Sequence, residues 1–248
     1  MLTDLGWLPQ PPADFEARVR ELRRRIVANE TLGLDAQVTA LATAALDENR
    51  LHKLSRLAGD ILKHRPPLGG LHALKVGLVG DGTLSLLGPA IVGTALRHGL
   101  ILDIVEGGYN SAVQEAVDPT SEIRSAGLDM AIVVPDARLL GLDQAAGSAL
   151  EADDRIDAAF ARTKMIVDGL KGSVSSAIFV QTVVPALEPL FGSFDRIEPT
   201  SPFSMVEALN RRLAAWAADG AVVLIDVARL AATVGLEHWD DQIGRAHV

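Results

Sequence analysis

The sequence predicts an α/β fold: a three-layer sandwich on a five-stranded parallel sheet in the order 2-1-3-4-5, preceded by a helical N-terminal segment. Three observations lead there. Short apolar runs alternate with helical patterns from about residue 75 onward, and strand and helix in alternation imply right-handed crossovers onto a parallel sheet. The runs are almost wholly apolar, as strands covered on both faces must be. The chain is also 48% hydrophobic but only 4% aromatic, so its core is built from Leu, Val, Ile and Ala, which suits helices packed on a sheet. The order 2-1-3-4-5 is one of the two common doubly wound arrangements.

Residues 1–70 read as a helical lead. Trp7-Leu8-Pro9-Gln10-Pro11-Pro12 is a strap that helix interior excludes. Asp14 then stands where a cap belongs, before a helix over 15–28 with Val19, Leu22 and Ile26 on one face. Arg18, Arg20, Arg23, Arg24 and Arg25 form a basic cluster on that helix, a solvated face or a seat for an acidic partner. Helices over 35–46 and 49–62 follow, the latter with a stripe of Leu51, Leu54, Leu57 and Ile61 that has to be buried. Pro66-Pro67-Leu68-Gly69-Gly70 breaks helix and marks the junction to a second domain over 71–248. There the strands fall at 75–79, 101–105, 130–134, 177–180 and 221–225, with helices over 87–98, near 112–116, over 151–170 and over 202–217.

In such sheets ligands bind beyond the carboxyl ends of the strands, so the residues after each strand carry the functional signal. After the first comes Gly80-Asp81-Gly82-Thr83-Leu84-Ser85. Its glycines permit a tight turn, and amides at a helix start can receive an oxyanion or phosphate. The third glycine of a dinucleotide fingerprint falls on Ser85 and a P-loop lysine is absent. The alternative is that Gly82 makes only the turn, with Thr83 as a helix cap. The second strand leads to Glu106-Gly107-Gly108-Tyr109-Asn110, with flexible backbone, the only tyrosine and an amide side chain. The third ends at Pro135-Asp136-Ala137-Arg138, where Asp136 faces a ligand or pairs with Arg138. The fourth surfaces as Gln181-Thr182, and the fifth ends at Asp226, a helix cap.

A G-D-x-T loop after the first strand, with Asp241 and His247 near the C-terminus, resembles the SGNH (GDSL-type) hydrolases. In that family a serine attacks an ester, a glycine and an asparagine complete the oxyanion hole, and an Asp-x-x-His pair activates the serine. Here Gly82 occupies the serine position, Pro135-Asp136 replaces G-x-N-D, and Asp241 and His247 are six apart rather than three. A glycine is no nucleophile. Thr83 or Ser85 would have to substitute from a different direction, and a shift of about 1 Å in such a site can cost a hundredfold in rate.

The whole chain more closely resembles the N-terminal region of FkbH-type proteins, which form glyceryl-acyl carrier protein in polyketide biosynthesis. The matching segments run from Leu5-Gly6-Trp7-Leu8-Pro9 through Gly80-Asp81-Gly82-Thr83-Leu84 and Pro135-Asp136-Ala137-Arg138. The most specific are Gln181-Thr182-Val183-Val184-Pro185, then Glu188-Pro189-Leu190-Phe191-Gly192-Ser193-Phe194-Asp195, Ala208-Leu209-Asn210 and the stretch from Gly235 to Trp239 with Asp241. The resemblance implies an SGNH-like (flavodoxin-like) domain, followed in full-length members by a HAD-type phosphatase whose aspartates bind Mg. No D-x-D-x-T/V signature occurs in this chain, so the Mg and the phosphatase step belong elsewhere.

The family is thought to draw a glyceryl unit from 1,3-bisphosphoglycerate, lose phosphate, and deliver the acyl group to the phosphopantetheine thiol of an acyl carrier protein. For this chain the expectation is that it helps bind the carrier or acyl intermediate through Asp81, Gly82, Gly108, Tyr109, Asn110, Asp136, Gln181 and Thr182, with Thr83, Asp241 and His247 as the catalytic candidates. Two alternatives are a stand-alone SGNH-type esterase or acyltransferase with a displaced nucleophile, and a catalytically silent docking scaffold.

Composition limits the rest. The chain has no cysteine, which removes disulfides, thiolate metal sites and a cysteine tether. Its net charge of -9 argues against nucleic acid, whose phosphates need a positive face. No apolar run reaches the roughly 18 residues that span a bilayer, and Met1-Leu2-Thr3-Asp4 lacks signal-peptide character, so no membrane contact and a cytoplasmic location are expected. No cofactor of the chain's own and no metal-ligand spacing is read. Of the six histidines only His247 is placed for catalysis.

Overall fold

A computed structural model describes residues 7–64, 68–236 and 239. The lead contains α1 (Phe15–Val27), α2 (Leu34–Ala42) and α3 (Glu48–His64). After it run β1 (His72–Gly80), α4 (Leu87–Ala95), β2 (Leu100–Glu106), α5 (Ala112–Val117), α6 (Glu122–Ser125) and β3 (Leu128–Val134). The chain continues through α7 (Ala149–Leu170), β4 (Val174–Gln181), α8 (Pro202–Ala218), β5 (Val223–Ile225) and α9 (Val227–Val234). The strands form a parallel sheet in the order β2-β1-β3-β4-β5, as the sequence predicts. In register, Val133 lies beside Val180, which in turn lies beside Leu224. The carboxyl ends of β3, β4 and β5 therefore reach the same edge.

Two compact units are distinguishable, one made of residues up to Val76 with Leu84–Ile104, the other of Gly77–Thr83 and residues from Val105 onward. In the first, the predicted stripes are buried: Val19, Leu22 and Ile26 of α1, and Leu54, Leu57 and Ile61 of α3. Each such side chain contributes about 1.5–3 kcal/mol on leaving water. Helices α3 and α4 approach so closely that a Cβ at Gly93 would lie 2.5 Å from the Leu51 carbonyl oxygen. In the second unit, Ala131 and Val133 of β3 and Ile178 and Val180 of β4 share a core with Ile156, Ile166 and Leu170 of α7 and Leu209 and Leu213 of α8. Helix α7 is capped by Ser148, whose Oγ accepts the Glu151 N–H, and α8 by Ser201 with proline at its first turn, the arrangement that satisfies orphan amides best.

Several expectations need correction. Asp14 occupies the position before α1 but caps nothing with its side chain; its Oδ1 accepts from Arg18 Nε at 2.8 Å instead. In the basic cluster Arg18, Arg23 and Arg24 are exposed, as a solvated face requires, with Arg23 paired to Asp60 and Arg24 to Glu21. The helix predicted to 46 ends at Ala42, because the Ala45 N–H is captured by the Pro9 carbonyl of the strap at 2.9 Å. Strands β1 and β4 begin earlier than predicted, since their first residues, among them His72, Ser175 and Ser176, are exposed and lack the apolar signature. Strand β5 is shorter, three residues paired to β4. Among the described residues no helix is long and apolar enough to cross a membrane.

Candidate functional site

The loop after β1 is organised by Asp81. Its side chain is only 8% exposed, and it accepts hydrogen bonds from parts of the chain far apart in sequence. Oδ1 receives the Ala112 N–H at 3.0 Å, at the start of α5. Oδ2 receives the Arg162 guanidinium of α7, Nη2 at 2.7 Å and Nε at 3.3 Å. The Asp81 carbonyl also accepts the Asn110 N–H at 3.1 Å, and Gly107 N–H reaches the Leu78 carbonyl at 2.9 Å. These bonds zip the loop after β1 to the loop after β2. A carboxylate so buried needs such donors, because burying a charge without partners is costly.

On that frame sit Gly82, Thr83, Gly108, Tyr109 and Asn110. Gly82 has open space where a Cβ would project, with nothing within 4 Å. Thr83 is exposed and caps no helix: α4 starts only at Leu87, and the residue before it makes no side-chain cap. Gly108 is pinned at both backbone groups, its N–H to Glu115 Oε1 at 3.3 Å and its carbonyl to Ser111 Oγ at 2.8 Å. A Cβ there would stand 2.7 Å from Ser111 Oγ. Tyr109 is 72% exposed, and Asn110 adopts φ +53°, a left-handed conformation that asparagine tolerates better than most residues. The two loops thus display a hydroxyl, a phenol and an amide on a rigid base.

The other predicted residues are engaged elsewhere. Asp136 makes no ion pair with Arg138; its Oδ1 accepts the backbone N–H groups of Arg138 and Leu139 at 3.0 and 3.1 Å, the bonding of a turn-forming aspartate. Thr182 is buried at 6% exposure. Its Oγ1 donates to Asp226 Oδ1 at 3.3 Å and accepts the Ala228 N–H at 2.8 Å, so it locks β4 to the start of α9. These bonds give it a structural role at the end of β4. Asp226 caps α9 as expected, accepting the Arg229 N–H. Gln181, half-buried, is paired in the sheet with Ile225. Asp241 and His247 lie outside the described residues.

Sequence reasoning missed Arg162. A signal existed: on α7 the buried stripe includes Ile156, Ala159, Thr163 and Ile166, and Arg162 borders it, where a cation needs a carboxylate. Asp195, which closes one of the matching segments, is 5% exposed and accepts the N–H groups of Leu190 and Phe191, both at 3.0 Å. Among the described residues no group of three or more His, Asp or Glu side chains could hold a metal ion.

Comparison with known proteins agrees with this architecture. The family model described as FkbH, N-terminal domain, matches residues 75–244. No curated protein matches the chain. Among solved structures, the N-terminal part of the protein BF1531 from Bacteroides fragilis, which contains a phosphatase domain complexed with Mg, is similar with a TM-score of 0.62 at 19% identity. The match covers 77% of this chain and 47% of that one, so the chain spans about half the length of that structure. A weaker likeness, to the acetyl xylan esterase AlAXEase, has a TM-score of 0.41 at 15% identity, covering 68% of this chain and 84% of that one.

Proposed function

Because the chain belongs to the FkbH N-terminal domain family, we propose that it binds and positions an acyl carrier protein and its acyl group while a glyceryl unit is loaded in polyketide biosynthesis. The observation that carries this reading is the loop after β1. It retains a buried, fully engaged Asp81, yet the next residue is Gly82, which has no side chain, and Thr83 makes no hydrogen bond to another described residue. A serine hydrolase needs a nucleophile bonded to its base, and the described residues of this loop supply none.

The chemistry fits a nucleophile brought by the partner. The sulfur of the carrier's phosphopantetheine thiol attacks the C1 carbonyl of 1,3-bisphosphoglycerate. A C–S bond forms, the C–O bond to phosphate breaks, phosphate leaves, and the thiol proton passes to a base. Asp241 and His247 are the proposed base pair. The remaining phosphoester is hydrolysed by water in a phosphatase domain. Exposed Tyr109 and Asn110 beside Gly82 suit the handling of a hydroxylated acyl group, since hydrogen-bonding side chains reject analogues that lack the matching hydroxyl.

The test is a titration of the full chain into isotope-labelled holo-acyl carrier proteins of the source organism, followed by NMR, beside a chromogenic short-chain ester assay. Carrier resonances should shift on titration while the ester stays intact. Ester turnover abolished by Thr83→Ala, with no carrier shifting, would replace this reading with the esterase.

A further inference from the structure

The loop between β4 and α8 exposes an unusual amount of apolar surface. Leu187 is 39% exposed, Leu190 55%, Phe191 44%, Phe194 66% and Ile197 73%. Scattered apolar side chains are normal on a surface, but five exposed ones within the eleven residues from Leu187 to Ile197 are a concentration of the kind that interaction sites show. This one is also held rigidly. Asp195 is buried at the centre of the loop, receives the Leu190 and Phe191 N–H groups on its two carboxylate oxygens, and through its carbonyl accepts the hydroxyls of Ser201 at 2.7 Å and Ser204 at 2.5 Å. Asn210 clamps the loop's first turn, accepting the Val183 N–H at 2.7 Å and donating to the Val183 carbonyl at 2.8 Å. A loop ordered from within, with its aromatic rings facing water, loses little conformational entropy when a partner covers it.

The charge beside it indicates the partner. Arg196 lies with its guanidinium carbon 4.9 Å from the centroid of the Phe203 ring. With Arg211, Phe203, Ser204 and Glu207 it lines a concavity of about 100 Å³. Neither arginine makes an ion pair among the described residues, in a chain whose net charge is -9. An apolar platform bordered by two arginines that make no ion pair among the described residues complements a protein that displays an apolar surface next to a fixed anion. A phosphopantetheinylated carrier has that chemistry, because its arm is joined to the protein by a phosphodiester. A second copy fits less well: a two-fold contact places the same patch on both sides and would bring the arginines into one seam.

We propose that the β4–α8 loop is the docking surface for the carrier protein, its apolar side chains seating the carrier and Arg196 with Arg211 receiving the phosphodiester of the prosthetic arm. The proposal rests on the carrier-binding reading above and names its surface.

The experiment measures affinity of the full chain for a labelled carrier in holo and apo forms, at two salt concentrations, with Phe194→Ser, Ile197→Ser, Arg196→Glu and, as control, Leu32→Ser, which is 91% exposed in the other compact unit. Phe194→Ser and Ile197→Ser should each weaken both forms by about tenfold or more, the scale of an interface hot spot. Arg196→Glu should remove the preference for holo over apo and the salt dependence. Leu32→Ser should match wild type. Thermal melts within the error of wild type verify that each variant folds. Wild-type binding that Phe194→Ser and Ile197→Ser leave intact overturns the surface but not the carrier reading. No binding by wild type overturns both. Sedimentation showing a wild-type dimer that Phe194→Ser dissolves assigns the surface to a second copy and overturns the proposal.

Discussion

Removing the Arg162 side chain should destabilise the protein more than removing the charge of Asp81, although both changes break one ion pair. Asp81 is 8% exposed and Arg162 37%, so the two partners are unequally able to recover solvent. Arg162→Ala leaves a buried carboxylate with the Ala112 N–H as its remaining side-chain donor. Stranding a fully buried charge costs about 3–5 kcal/mol. Partial access of water to the vacated space places the cost toward the lower end of that range. Asp81→Asn keeps an acceptor for Ala112 and releases Arg162 to water, so it forfeits only an exposed-type pair, about 0.5–1 kcal/mol. Asp81→Ala adds an orphaned amide, about 1–3 kcal/mol. The double variant Asp81→Ala with Arg162→Ala should cost at least about 1 kcal/mol less than the sum of the singles, as expected of groups in direct contact. Urea denaturation followed by circular dichroism reads these as shifts in midpoint at constant slope. If Arg162→Ala lies within about 0.5 kcal/mol of wild type, the range of ordinary surface changes, the view of Asp81 as the tie between the two loops is wrong.

Two further outcomes follow from local geometry. A Cβ at Gly169 of α7 would lie 2.5 Å from the Ala116 carbonyl oxygen, whereas one at Gly82 meets nothing within 4 Å; Gly169→Ala should therefore lose about 1–3 kcal/mol by overpacking, while Gly82→Ala melts within a degree or two of wild type. The Glu151 carboxyl is held below its ordinary range, first by the Gly147 N–H it accepts at 2.8 Å and then by Arg155. A carboxyl whose folded-state pKa is lowered stabilises the fold above its unfolded value and loses that stabilisation as pH falls through the folded one. Glu151→Gln should thus lower the melting temperature at pH 7, and the gap should close as melts are repeated at progressively more acidic pH; a gap that persists in acid would mean the contribution is not ionic.

The parts of this fold that were legible in sequence are those set by local periodicity. Leu54, Leu57 and Ile61 announce the buried side of α3 by spacing alone, and Val133 and Val180 announce buried strands by the company they keep. What local pattern does not show is a bond between distant segments. Thr182 follows a buried run as a ligand-binding residue would, and only the placement of α9 shows that its hydroxyl is also bonded to Asp226 and Ala228. Asp14 has the residue type of a cap, yet an arginine one turn later competes for it. The link between Asp81 and Arg162 crosses 81 residues, and no local pattern encodes a pairing of that range. A polar residue at a strand end is ambiguous between ligand and fastener until tertiary register decides.

That ambiguity also bears on why a loop can keep its aspartate and lack a nucleophile. The donors to Asp81 come from α5 and α7, and its carbonyl holds Asn110, so the shape of the rim does not depend on what stands at position 82. Here the space at Gly82 is empty of protein atoms within 4 Å of a would-be Cβ, and the chain contains no cysteine to fill the chemical gap. Under the proposed function the vacancy is where a partner's thiol enters. A side chain larger than alanine at position 82 should then obstruct acyl loading while leaving stability untouched, since the obstruction falls on the incoming arm and not on the fold. Gly82→Leu that melts like wild type, binds the carrier like wild type, and still supports loading of the intact system at the wild-type rate, followed by mass spectrometry of the carrier, would show that the thiol approaches from elsewhere.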